Sequence, residues 1–279
     1  MKRTIRVVFT AVLLAAALVG CGREAPTPAP QETTVPATQA TEAPTEPSTE
    51  AATEPSTEPT TEPPTEPPTE PPLVLHSGLR ADGSFDEGAL FIGDSMTYFF
   101  VNRCLILGDH IGDAKYTAQI GSQLTVYFSD LELNDQHEMK CLYSEGLEGL
   151  TFREAAAQMG EKATSIYLMW GTNFTKNATA ESYIEIVDDL LELCPNATVH
   201  LQLIPYGDPA FVATNTVNTR IQGAYAHYQE LGEPRVMLID TFTAIGRRLA
   251  GDGIHLSDKG NQAWYQAILD HAENNGLEQ

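Results

Sequence analysis

Four short stretches of this chain carry residues able to do chemistry together: Gly93-Asp94-Ser95-Met96, Gln119-Ile120-Gly121-Ser122, Trp170-Gly171-Thr172-Asn173 and Gly251-Asp252-Gly253-Ile254-His255. A serine hydroxyl is a weak nucleophile unless a neighbouring base takes its proton, and the base needs a third group to hold it. Asp252 and His255 stand three residues apart on a Gly-rich loop. They can hydrogen-bond, which fixes the imidazole tautomer and leaves the other ring nitrogen as base. Ser95 follows the apolar run Ala89-Leu90-Phe91-Ile92-Gly93 and precedes an amphipathic segment, a pattern that reads as buried strand, tight turn and helix start. Its backbone N–H then belongs to the first helical turn, where orphan donors and the dipole favour developing negative charge. Asp94 or Ser95 would equally serve as a plain helix cap. Gly121 lets a backbone N–H approach a ligand, and Asn173 offers an amide donor, although both residue types are also ordinary in turns. Donors aimed at a tetrahedral oxyanion supply on the order of 3 kcal/mol each. This chemistry requires neither a metal nor another cofactor.

The elements that must position these loops are legible as alternating patterns. Strands are expected at residues 89–93, 115–120, 165–170, 198–204 and 235–239, and helices at 180–193, 218–231 and 258–272. Strand-helix alternation implies a parallel sheet covered on both faces, with chemistry in the loops at the carboxyl ends of the strands. Residues 73–279, about 207 in number, suffice for one domain. Of the chain's net charge of -22, this domain holds 28 acidic and 12 basic side chains, a balance of -16. No Lys/Arg cluster is present to neutralise phosphates, so nucleic acid is excluded as a partner. Cys104, Cys141 and Cys194 lack zinc-site spacing and allow at most one disulfide. Of the seven histidines, His255 has the only evident partner; His76, His110, His137, His200, His227 and His271 read as structural or surface residues.

Ahead of the domain, residues 1–21 have the basic start and short apolar run of a secretory signal, too short to cross a bilayer comfortably. The run ends Leu18-Val19-Gly20-Cys21, which resembles the lipobox of bacterial lipoproteins. That resemblance implies a lipidated Cys21 and a protein exported and anchored to the outer face of the bacterial cytoplasmic membrane, two acyl chains being enough for stable attachment. Residues 22–72 settle into Thr-Glu-Pro-Pro repeats that cannot bury a core and read as a disordered spacer. Fully extended at about 3.1 Å per residue, such a spacer reaches on the order of 160 Å, into surrounding wall material.

Taken in order, Gly93-Asp94-Ser95-Met96, Gly121, Gly171-Thr172-Asn173 and Asp252-Gly253-Ile254-His255 resemble the four blocks of the SGNH hydrolases, also called GDSL esterases. The resemblance implies a three-layer α/β/α sandwich around a five-stranded parallel sheet of flavodoxin-like type. It also implies Ser95 as nucleophile, His255 as base, Asp252 as its orienting acid, and the Ser95 and Gly121 N–H groups with the Asn173 side chain as oxyanion donors. Met96 replaces the usual leucine, a volume-conserving swap. Phe174 stands where many members carry aspartate, which alters the pocket wall. Phe174, Tyr206 and Phe211 would form an aromatic platform for a sugar ring or acyl chain, or else pack locally. Residues 129–150 are long enough to help shape the cleft. The substrate expected is an acylated carbohydrate or small ester: hydrolysis of a short acyl group, acetyl first, on a cell-wall or extracellular polysaccharide. The alternatives are acyl transfer to a sugar hydroxyl by the same triad, and a non-catalytic glycan-binding lipoprotein.

Overall fold

The structure, a computed structural model, describes residues 73–108, 110–129, 140–173, 179–209 and 212–279. The signal, Cys21 and the repeat segment lie outside the described residues, as do Phe174 and Phe211.

Strand β1 (Ala89–Gly93) is apolar throughout and buried along its whole length, which a central strand of a parallel sheet requires. It pairs in parallel with β2 (Lys115–Gln119) and β4 (Ser165–Met169). Strands β5 (Thr198–Gln202) and β6 (Val236–Ile239) continue the sheet beyond β4, again in parallel. A sixth strand, β3 (Cys141–Tyr143), adds antiparallel to β2, so the order is β3-β2-β1-β4-β5-β6. The five-stranded expectation is therefore corrected to five parallel strands plus one antiparallel edge. Three half-buried residues carry too little periodicity to announce a strand.

Register builds the core as a row. Phe91 pairs with Tyr167, Tyr167 with His200 and His200 with Met237. The rings stack across the sheet, at 4.8 Å between Phe91 and Tyr167 and 4.7 Å between Tyr167 and His200. Helices α1 (Ser95–Leu107) and α6 (Asp258–Asn275) cover this face, with Phe100 against Phe91 at 5.8 Å and against Trp264 at 4.3 Å. Helices α2 (Phe152–Met159), α3 (Ala180–Leu193) and α4 (Thr214–Leu231) cover the other. There Cys194 Sγ–H donates to the Ala156 carbonyl and the Tyr228 hydroxyl to the Ile184 carbonyl. The short α5 (Thr241–Ile245) follows β6. The result is a three-layer α/β/α sandwich. Helix α4 starts four residues earlier than its apolar pattern, and Asn218 on it holds the Ile204 backbone by N–H and C=O alike, at 2.8 and 2.9 Å. Cys104, Cys141 and Cys194 form no disulfide among the described residues.

Both chain ends of the domain lie at the amino-terminal edge of the sheet. His76 N–H donates to Thr198 Oγ1 at the start of β5, and Ser77 N–H donates to the Glu278 carbonyl. Residues Glu145, Gly146 and Leu147 are also at that edge, lining a hollow of about 600 Å³ with Glu87, Lys115 and Lys162. This part of 129–150 is thus remote from the carboxyl ends of the strands and does not shape a cleft there; residues 130–139 lie outside the described set.

Two of the histidines read as structural have partners the sequence did not reveal. His200 is fully buried, with Nδ1 3.3 Å from His271 Nε2 and Nε2 3.1 Å from the His76 carbonyl oxygen. Burial drives both imidazoles down, His200 to about 3 and His271 to about 4. A base whose folded pKa lies below its unfolded value of about 6.5 adds no destabilisation above that pH and removes stability as pH falls toward the folded value. Unfolding free energy is therefore expected to drop between pH 6 and 4.5. Urea titrations should show the drop steeper than in His200→Gln by about 1 kcal/mol per pH unit.

Candidate active site

The carboxyl ends of β1, β2 and β4 and the loop before α6 supply every group singled out by chemistry. Helix α1 begins at Ser95 with Asp94 as its N-cap, the Asp94 carboxylate accepting from Met96 N–H at 2.9 Å. The capping alternative and a wider role are both realised. The second Asp94 oxygen accepts from Gly171 N–H at 3.1 Å, Thr172 N–H at 2.9 Å and the Thr172 hydroxyl at 2.6 Å. Burial pushes this carboxyl up from its ordinary range, and those four donors oppose the shift. Glycine is required at two places in this knot. A Cβ on Gly93 would collide with the Met169 carbonyl and the Thr97 hydroxyl, and one on Gly171 with the Tyr183 hydroxyl and Val217. Asp94 and Thr172 are thus site residues beyond those chosen from the sequence for chemistry; the pairing joins positions 78 apart and left no local signal.

Ser95 is 3% exposed, at the amino end of a 13-residue helix. Its backbone N–H and that of Gly121 have no acceptor among the described residues. Gly121 sits in the left-handed region with φ of 78°. Asn173 Nδ2 donates one hydrogen to the Ser122 carbonyl at 3.3 Å, and Trp170 Nε1–H donates to the same oxygen at 3.2 Å. These bonds fix the β4 loop against the β2 loop, so the second Asn173 amide hydrogen and the Gly121 N–H belong to one edge.

The histidine loop is a closed turn. Leu249 and Leu256 form an antiparallel bridge, Ala250 N–H donates to the His255 carbonyl, and Asp208 N–H donates to the Gly253 carbonyl at 2.9 Å. Asp252 Oδ1 accepts from the Ile254 and His255 N–H groups, each at 2.9 Å, and Oδ2 lies 2.7 Å from His255 Nδ1. Although partial burial raises the Asp252 carboxyl, the Ile254 and His255 hydrogen bonds outweigh it and bring the group down to about 2. An ionised carboxylate only accepts, so Nδ1 carries the hydrogen and Nε2 is the basic nitrogen. The His255 side chain is 24% exposed, within reach of both solvent and substrate.

Helix α1 is held to α6, which follows this loop, by Arg103, whose Nε–H donates to Asp258 at 2.8 Å, and by the Phe100–Trp264 contact. The His255 ring packs on Phe99 at 4.4 Å between centroids. Phe99 is one helical turn beyond Ser95 on the same side of α1, which brings the imidazole to the face that carries the hydroxyl. Phe99 is a further site residue, one that its apolar character disguised as core. No hydrogen bond joins Ser95 Oγ to His255 in the structure; such bonds are often long without substrate and tighten when it seats.

Of the three aromatic residues named for a platform, only Tyr206 lies among the described residues. Tyr206 does not offer a bare ring, because the Arg247 guanidinium lies over it at 4.0 Å from the centroid. Among the described residues, no group of three or more His, Cys, Asp or Glu side chains is arranged to hold a metal ion, and no helix is long and apolar enough to cross a membrane.

No family model matches the chain, and no curated protein sequence matches it. Solved structures similar to it include a carbohydrate esterase family 3 protein from Talaromyces cellulolyticus, 18% identical, covering 67% of this chain and 96% of that one at a TM-score of 0.45. A member of the lipolytic protein G-D-S-L family from Veillonella parvula is 16% identical over 65% of this chain and 96% of its own, at 0.43. The C-terminal catalytic domain of the peptidoglycan O-acetyltransferase A of Streptococcus pneumoniae is 18% identical over 68% and 94%, at 0.42. At these scores and identities the likenesses carry no argument about chemistry, which rests on the geometry above.

The Asp94 knot makes a quantitative expectation. Asp94→Ala orphans four buried donors and is expected to lower unfolding free energy by about 3 to 5 kcal/mol in urea titrations. A loss below about 1 kcal/mol would show that the carboxylate does not bind the two loops together.

Proposed function

We propose that the domain is a serine hydrolase of acyl esters that works through an acyl-enzyme. The observation that carries the reading is the Asp252–His255 pair, its imidazole packed on α1 one turn from a buried serine at the helix amino terminus. In the first step Ser95 Oγ attacks the ester carbonyl carbon while His255 Nε2 takes the hydroxyl proton. Asp252, ionised and held by two backbone N–H groups, stabilises the imidazolium. The oxyanion is received by the Ser95 and Gly121 N–H groups and the uncommitted Asn173 amide hydrogen. His255 then returns its proton to the departing alkoxide, and the acyl group remains on Ser95. Water, deprotonated by the same nitrogen, releases the acid and restores the serine.

The preferred substrate in this reading is a short acyl ester, acetyl first, on a cell-wall or extracellular polysaccharide. Supporting it are the signal-like start, the repeat spacer and the lipobox-like Cys21, features that suit a lipid-anchored enzyme outside the cytoplasmic membrane. The domain's polarity suits that arrangement. Residue His76 lies at the amino-terminal edge of the sheet, about 16 Å of strand away from the edge that bears Ser95 and His255. Acyl transfer would use the same groups and differ only in whether a sugar hydroxyl or water meets the acyl-enzyme.

Residues 73–279 are expected to release acid from p-nitrophenyl acetate. Ser95→Ala and His255→Ala should each reduce kcat/KM by about 10³-fold or more, and Asn173→Ala by about 10²-fold. Turnover within tenfold of wild type in either of the first two variants would reject the triad. In whole cells, palmitate labelling should be lost on Cys21→Ala; label that persists would remove the anchor.

A further inference from the structure

The Tyr206–Arg247 pair takes no part in the chemistry above, yet it stands beside the turn that carries it. Tyr206 lies two residues before Asp208, whose N–H donates to the Gly253 carbonyl, and Arg247 lies two residues before Leu249, which bridges Leu256. Two residues of extended chain span at most about 7 Å, so both side chains originate within a sugar ring or two of the Asp252–His255 turn.

Arg247 is exceptional in its partners. Arg80, Arg103, Arg153 and Arg235 each hold a carboxylate, Arg248 donates to the Ala244 and Ile245 carbonyls, and Arg220 is engaged elsewhere. Arg247 alone among the arginines of the described residues has neither an ion pair nor a hydrogen bond, in a domain with a large excess of acidic side chains. Its guanidinium carbon lies 4.0 Å from the centroid of the Tyr206 ring. A guanidinium held over an aromatic face keeps its N–H donors free for another partner. A planar, unpaired fork is the group that receives a carboxylate bidentately.

We propose that Arg247, held over the Tyr206 ring, is a specificity-determining residue that binds a carboxylate on the sugar bearing or adjoining the scissile acyl ester. The substrate class is thus an acylated acidic saccharide. The planar fork matches the two oxygens of a carboxylate. The assignment rests on the esterase reading of the adjacent site.

The test compares O-acetylated oligogalacturonide with O-acetylated xylo-oligosaccharide on residues 73–279. Arg247→Gln should lower the acidic-to-neutral ratio of kcat/KM about five- to tenfold, chiefly through KM. Arg247→Lys, which keeps the charge and loses the fork, should fall between. Tyr206→Leu should lower the same ratio by releasing the guanidinium, and it decides the matter should Arg247→Gln fail to fold. A second arm titrates deacetylated trigalacturonate by calorimetry and needs no turnover; Kd should rise about five- to tenfold in Arg247→Gln. Ratios and Kd unchanged within twofold would overturn the assignment. Failure of the esterase reading is seen separately, as absence of wild-type turnover on both saccharides and on p-nitrophenyl acetate, and the calorimetric arm still decides the carboxylate site.

Discussion

One buried carboxylate ties the candidate site into a single body. Asp94 is sealed from solvent and spends its oxygens on the first turn of α1 and on the backbone and hydroxyl of the β4 loop. A carboxyl group in such a place is tolerable only when its oxygens are satisfied, so the two loops cannot separate without stranding buried polar groups. Ser95 and Asn173 inherit their positions from that constraint. The Gly93 and Gly171 backbones come close enough to make it possible, since a methyl group at either would strike the opposite element.

The two histidine environments show how one residue type is put to opposite uses. His200 lies in the stacked row that crosses the sheet, where burial keeps it neutral and it serves as a polar ring that packs. His255 lies on a tight, partly exposed turn with an ionised carboxylate at Nδ1, which leaves Nε2 as its basic nitrogen. Their difference is solvation and partner, not sequence context alone.

Polarity of the sheet separates the domain's two ends from the candidate site. The paired chain ends and the hollow beside Lys115 and Lys162 occupy one edge, and the Ser95, Asn173 and His255 loops occupy the other. In a parallel sheet all connections enter strands at one edge and leave at the opposite one, so loops that follow strands gather without any further device. Arg247 and Tyr206 join that gathering because β5 and β6 end there too.

How much of this was legible beforehand follows from how local each signal is. The central strands declare themselves because burial on both faces demands unbroken apolar runs, and Ala89–Gly93 and Ala180–Leu193 are bounded as their patterns say. Thr151 and Glu154 even form a capping box that marks α2, a short helix the apolar pattern alone passes over. The Asp252–His255 bond spans three residues and could be read directly, because a tight turn leaves few other places for the two side chains. By contrast β3, the Asp94–Thr172 bonds, the His200–His271 contact and the Arg247–Tyr206 stack join groups distant along the chain. Composition and periodicity describe each segment by itself, and so they determined the elements, their order and the chemical groups on offer. Which of those groups meet was decided only when sheet register and helix packing fixed distances between segments, because a hydrogen bond or a ring stack depends on angstroms that no single segment contains.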